Sequence, residues 1–385
     1  MHVHQDDDVV AVVRDALLAL ARIDAEPDEA VERAWVRGAC RALLLDAVDG
    51  HGLSSTLHDA LVAVGAEPPG RLVEIRRGAT VRRLAAARAL GPIGRALDGA
   101  SVPWAVLKGP VVAALHPRPE HREFNDLDIL VPGRALGPAL DALAAAGIED
   151  LNRNWAGVLT HGVAELPLRC GATWIDFHWH VVGLARTRRE LRVDADALIE
   201  RRRVVPLPTG PVPALDATDQ VLHLALHAGL GGAGVLAWLR DLAVVIEYDR
   251  PHWPTLCTRA ERMGVARLTA HVLDRAARLV GATVPPHAVA ALGTGPMLAL
   301  RRRLDDRSSR RLQDRIAPAF IVKTARDGVR PSLAAVARVG GDRLRTRLGS
   351  PRHWDVDDER SPIYWNHRSG GADERDAYLS LAGGP

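Results

Sequence analysis

Residues 107–131, LKGPVVAALHPRPEHREFNDLDILV, follow the short apolar run VPWAVL at 102–107. Together they read as strand, turn, helix and second strand, because apolar runs of strand length flank Gly109-Pro110 and the helical PVVAALH. Gly109 ends the first strand. Pro110 falls at the first helical position, where its missing N–H and fixed φ are tolerated. In Asp126-Leu127-Asp128-Ile129-Leu130-Val131 a period of two sets Asp126 and Asp128 on one face and Leu127, Ile129 and Val131 on the other. Two carboxylates side by side repel each other unless a cation sits between them. Lys108 opens the helix, whose free N–H groups favour phosphate. Of the 50 basic residues two are lysines, Lys108 and Lys323, and 48 are arginines, so a lysine here marks a need for a compact ammonium that Arg's planar fork does not replace.

Working outward, RALGPALDALAAAG continues as a helix ending at Gly147, and the strands GVAELPLR and TWIDFHWHVV follow. In Ile175-Asp176-Phe177-His178-Trp179-His180 the alternation lines up Asp176, His178 and His180 on one face, which offers a third carboxylate to Asp126 and Asp128. Residues 1–100 read as a helical region, 101–210 as the α/β core, 211–350 as a second helical region, and 351–385 as a polar, Gly-rich tail expected to be loosely ordered. No internal repeat is present.

Composition bounds the function classes. The chain has 385 residues, 47% of them hydrophobic, enough for a substantial core. Cys40, Cys170 and Cys257 are scattered, so neither a disulfide framework nor a CxxC zinc site is indicated, and a cytoplasmic setting fits. MHVHQDDDVV carries acids where an export signal has cations. The longest uncharged run, 279–300, is broken by Pro285, Pro286, Pro296 and several glycines, so no membrane span is expected. A net charge of +3 permits anionic partners, nucleic acid included, without indicating them. RRRLDDRSSRRLQDR at 301–315 reads as a solvated helix face or as a contact for phosphate groups.

D-x-D spacing alone is weak, since Asp194/Asp196 and Asp355/Asp357 share it. The ordered set is stronger. The run Lys108-Gly109, Arg122, Asp126-x-Asp128 resembles the pattern of the uncharacterised nucleotidyltransferase family within the DNA polymerase β-like superfamily. DFHW at 176–179, HLALHAG at 223–229 and AWLRDLA at 237–243 are similar to its later segments. The resemblance covers roughly 100–250 and implies an α+β fold: a polymerase β-like core with a small mixed sheet between helical regions. It implies a nucleoside triphosphate (NTP) substrate and Mg²⁺ or Mn²⁺ held by Asp126, Asp128 and Asp176, with Lys108, Gly109 and Arg122 near phosphate. Lys108-Gly109 replaces the superfamily's Gly-Ser phosphate turn. Arg122 is expected to pair with phosphate or, structurally, with Asp126. A nucleoside monophosphate would pass to an acceptor, a small molecule, peptide or protein, with release of pyrophosphate. Two rivals are a non-catalytic nucleotide-binding regulator of the same fold and a metal-dependent hydrolase centred on Asp176, His178 and His180. His223 and His227 have the spacing of a zinc half-site beside Asp241, but lack the HExxH glutamate and read as packed histidines. Trp179 and Trp238 read as core aromatics.

Overall fold

The computed structural model describes residues 2–23, 29–293, 295–308, 316–347 and 356–384. It is a mixed α+β structure with a single seven-stranded sheet flanked by helices. The strands are β1 (Ala105–Val106), β2 (Asp126–Leu130), β3 (Glu149–Asp150), β4 (Glu165–Cys170), β5 (Thr173–His178), β6 (Arg203–Leu207) and β7 (Gly210–Ala214), in the order β3-β4-β5-β2-β1-β7-β6. β2 runs parallel to β5 and antiparallel to β1, and β1 meets β7 in parallel.

The expected strand-turn-helix-strand unit is present. β1 leads into the helix Pro110–Leu115, and β2 follows the 3₁₀ turn Pro119–His121. The hairpin β6–β7 was not expected, and its sequence hides it. Pro206, Pro211 and Pro213 remove ladder donors; Pro206 lies in β6, an edge of the sheet, and Pro211 and Pro213 lie in β7, which meets β1 only at Val106 and Ala214.

Alternation on β2 divides the interior in two. Leu127, Ile129 and Val131 enter a core shared with Ile175 and Phe177 of β5 and with Ile93 and Leu97 of the helix Gly70–Gly99. Leu130 enters a larger core on the opposite face, built from the N-terminal helices and from Ala217–Leu230, Leu236–Tyr248 and Ala266–Val280. Asp126 and Asp128 therefore point toward the helical layer. The helix Gly70–Gly99 reaches both cores, with Leu72 in the larger and Ala89, Leu90, Ile93 and Leu97 in the smaller.

The tail corrects the expectation of loose order. The helix Ala372–Gly383 docks on the smaller core, where Tyr378 is fully buried, donates to the Val163 carbonyl at 2.7 Å and accepts from Trp179 Nε1 at 2.9 Å. The hydrophobic surface it covers comes from ordinary burial of apolar area. Among the described residues no helix is long and apolar enough to cross a membrane.

Candidate metal and nucleotide site

Lys108 is fixed by the backbone on either side of it. The Leu107 N–H donates to the Asp128 carbonyl at 3.1 Å, and the Leu107 carbonyl accepts from Gln220 Nε2 at 2.6 Å, which ties β1 to the helix Ala217–Leu230. Gly109 then turns at φ +59°, a left-handed value that a residue with a Cβ adopts only at a cost, and Pro110 starts the helix. The outcome is an ammonium over β2. Lys108 Nζ lies 3.0 Å from Asp128 Oδ1.

The register of β2 on β5 sets Asp128 directly beside Asp176, and His178 follows on the same face. One ligand atom from each of Asp128, Asp176 and His178 lies within 4.8 Å of the other two. His178 Nε2 is 3.4 Å from Asp128 Oδ1, and its Nδ1 is 3.5 Å from Glu165 Oε2 without hydrogen-bond geometry. Asp126 stands one step earlier on this face, partly buried, and lines the adjoining cavity.

The electrostatics follow from burial and crowding. Burial and then the neighbouring Asp126 charge push the Asp176 carboxyl up to about 8. Burial opposes the charge on Asp128 as well, but the Lys108 ammonium and the His178 hydrogen bond outweigh it and hold this carboxyl far below the usual range. Burial also works against charged Lys108 and His178. For Lys108 the Asp128 and Asp126 charges prevail, and for His178 the Asp128 hydrogen bond and the Glu165 charge prevail, so both pKa values are raised. Asp128 Oδ2 is buried with no hydrogen-bond partner. An unpartnered anionic oxygen facing a second carboxylate and an imidazole suits a divalent cation, and carboxylate-rich sets suit Mg²⁺ or Mn²⁺.

A cavity of about 300 Å³ opens beside the cluster, lined by Lys108, Asp126, Arg122, Trp238, Arg240 and Asp241 among others. Arg122 does not pair with Asp126, as one of the expectations had it. Its Nε and Nη2 each lie 3.0 Å from Asp241 Oδ2, while His116 Nε2 meets Asp241 Oδ1 at 3.3 Å. Despite burial, the Arg122 charge and the His116 hydrogen bond lower the Asp241 carboxyl to about 2. Arg240 is buried alongside, donating to Thr56 Oγ1 at 2.7 Å and to the His121 carbonyl. This network fixes the loop that carries Phe124 and Asp126, leaving Arg122 Nη1 without a hydrogen-bond partner.

His180 is not part of the cluster. β5 ends at His178, and both His180 nitrogens are engaged by the main chain: one donates to the Val193 carbonyl at 3.0 Å, the other accepts the Val182 N–H at 3.0 Å. The expected common face of Asp176, His178 and His180 is thus cut short after His178. His223 and His227 do pack between helices, with His227 at 4.7 Å, ring to ring, from Trp238. They nevertheless belong to the site's surroundings. Burial first and then the Lys108 charge depress both, His223 to about 3, and neither ring nitrogen of His223 has a hydrogen-bond partner. Glu165 was not singled out in the sequence. Its position directly across from His178 depends on the β4–β5 register, although the alternation of Glu165, Pro167 and Arg169 already marked its face. The decoy pair is structural: Asp194 caps the helix Ala195–Glu200 and Asp196 pairs with Arg134. Of the Arg-rich stretch, 309–315 lie outside the described residues, and Arg301 is fully buried rather than solvated.

The carboxylate cluster lies on the central strands of a mixed sheet, under a helical layer and beside a cavity lined by both cations and carboxylates. Residues 41–281 match the uncharacterised nucleotidyltransferase family, and the chain belongs to it. The match takes in the sheet and also helices on both sides of it. No curated protein matches the chain in sequence.

Proposed function

We propose that the protein transfers a nucleoside monophosphate from an NTP to a nucleophilic group on an acceptor, a small molecule, peptide or protein, and releases pyrophosphate. The observation that carries this reading is the pairing of Asp128 with Asp176 across adjacent parallel strands, with His178 completing a donor set within 4.8 Å. Asp126, Asp128 and Asp176 are the residues to hold Mg²⁺ or Mn²⁺. Bound there, divalent ions supply Lewis acidity at phosphoryl oxygens and favour the deprotonated form of an attacking hydroxyl.

The chain's own groups do the rest. Asp176, the third carboxylate, would sit beside the attacking group and help to activate it once a cation relieves the crowding with Asp126 that raises its pKa. Lys108 supplies positive charge at the cavity mouth, where Gly109 allows close approach of a phosphate to the backbone. Arg122 acts mainly through Asp241, with Nη1 left for phosphate. His178 holds Asp128 in place through Nε2. Trp238 and Leu224 give the cavity an apolar wall and limit water.

The test is the thermal midpoint of the purified chain with each NTP and Mg²⁺ or Mn²⁺, beside an Asp126→Asn/Asp128→Asn variant, since binding to the native state raises stability whatever the acceptor is. A metal-dependent rise that disappears in the variant is expected. No rise with any nucleotide would overturn the reading.

A further inference from the structure

Lys108 rests on the Asp128 oxygen that His178 also faces, and leaves the other oxygen, Oδ2, without a hydrogen-bond partner. Nζ is 3.0 Å from Asp128 Oδ1, and His178 Nε2 is 3.4 Å from that atom. An ammonium on Oδ1 and a divalent ion on the unpartnered Oδ2 of the same buried carboxylate repel strongly, because the low dielectric of the interior leaves their charges poorly screened. The side chain has somewhere else to go. It also lines the cavity of about 300 Å³, together with Asp126, His227 and Trp238. On the helix Ala217–Leu230, beside the cavity-lining Leu224 and within reach of the Lys108 charge, stands His223, 7% exposed, with Nδ1 and Nε2 both buried and both without a hydrogen-bond partner. Two unused imidazole nitrogens in the interior are costly unless something meets them in part of the working cycle.

We propose that Lys108 is a displaceable counter-ion: it neutralises Asp128 until a divalent cation enters the carboxylate cluster, then turns into the cavity, where its charge meets the anionic part of the substrate and the helix behind the wall offers it the unpartnered nitrogens of His223. Metal binding then precedes binding of the nucleotide's phosphates, since it delivers the cation that the phosphates meet. The proposal also accounts for the choice of lysine in a chain with 48 arginines among 50 basic residues. A point charge on a flexible four-carbon stem can leave one carboxylate and swing, whereas a guanidinium would stay fork-bound to Asp128. The bonds of Leu107 to the Asp128 carbonyl and to Gln220 hold the backbone beside Lys108, so the motion is confined to the side chain.

The inference rests on the metal-dependent reading above, and the experiment separates the two. The full chain is labelled with ¹³C,¹⁵N-lysine, which gives two side-chain signals, assigned with Lys323→Arg. Mg²⁺ is added without nucleotide while binding is followed by calorimetry. The Lys108 signal is expected to move in step with Mg²⁺ occupancy and the Lys323 signal to stay. In parallel, Lys108→Met is expected to raise Mn²⁺ affinity about tenfold, by removing a competing cation. Mg²⁺ binding with a stationary Lys108 signal, or weaker Mn²⁺ binding by Lys108→Met, would overturn the counter-ion role while leaving the metal site standing. Failure of both the wild type and Lys108→Met to bind any divalent cation would overturn the metal reading itself and this inference with it. For His223, nucleotide affinity in the presence of Mg²⁺ should fall in His223→Ala and recover in His223→Asn, which keeps an acceptor. Equal loss in both would remove His223 from the scheme.

Discussion

Arg301 and Asp128 are both buried charges, but their surroundings are built differently. Each nitrogen of the Arg301 guanidinium has its own partner: Nε donates to His271 Nδ1 at 3.1 Å, Nη1 to Asp305 and Nη2 to Asp274. Its charge is balanced by two carboxylates held in place by helices. Around Asp128, by contrast, Asp126 and Asp176 add like charges, and Asp128 Oδ2, His178 Nδ1 and both nitrogens of His223 have no hydrogen-bond partner. A buried ionic group is costly when incompletely paired, so a cluster kept in that state is arranged for a task other than holding the fold. The Arg301 cluster is a fastening, while the Asp128 cluster keeps the unmet polar atoms that the proposed cation role would use.

The contrast predicts different responses to substitution. The largest effect is expected at Arg301→Met, which removes all three guanidinium hydrogen bonds and leaves Asp274 to Arg302 and Asp305 to Arg275, and should cost about 3 kcal/mol in urea denaturation, with divalent-metal binding unchanged. Loss of metal binding in this variant would break the division of labour. Next comes the ligand response. At NTP and Mg²⁺ concentrations a hundredfold above Kd, the wild type should gain about 2.7 kcal/mol, and Asp128→Asn should gain nothing, as read by the thermal midpoint.

The pH response sharpens the comparison further. Burial and the Arg301 charge depress His271 from the usual 6.5 to about 4. Because the folded pKa lies below the unfolded one, the unfolded chain takes up the proton first. The stability this neutral histidine contributes is therefore complete above pH 6.5 and is lost as pH falls toward 4, by about 2–3 kcal/mol at most. Denaturation at pH 7 and pH 4.5 should show this loss in the wild type and much less of it in His271→Gln. The smallest effect is expected at Gly109→Ala. A Cβ there would meet only ordinary contacts, with Asp126 O the nearest at 3.7 Å, so the cost comes from φ +59° and should be about 1–2 kcal/mol. A larger loss of NTP affinity than of stability in this variant would tie the turn to the site.

What the sequence made legible was local. The β2 alternation and the Gly109-Pro110 turn were readable because each depends on a few adjacent residues whose stereochemistry allows little else. Asp176 and His178 were readable as one face of a strand, but His180 was misassigned to it, because the strand's end is set by the main-chain groups of Val182 and Val193 that bind the ring. The β6–β7 hairpin was hidden by its prolines. Glu165 and the pairing of Arg122 with Asp241 depend on a register and on a helix 119 residues away, which no local pattern carries. The tail was misjudged for the same reason: its polar composition is real, and the contacts that order it lie far back in the chain.

Those contacts bear on how the molecule is assembled. The hydrogen bond from Tyr378 to the Val163 carbonyl joins residues 215 apart, and Ala382 and Ile363 fill the same core as β2, β4 and β5. At ordinary rates of translation, roughly 10–40 s pass after the synthesis of β4 before Tyr378 exists to bond the Val163 carbonyl. During that interval the helices Gly70–Gly99 and Leu136–Ala145 already supply their share of the smaller core, and the places of Ile363, Tyr378 and Ala382 stay open, so a shortened message leaves that core incomplete.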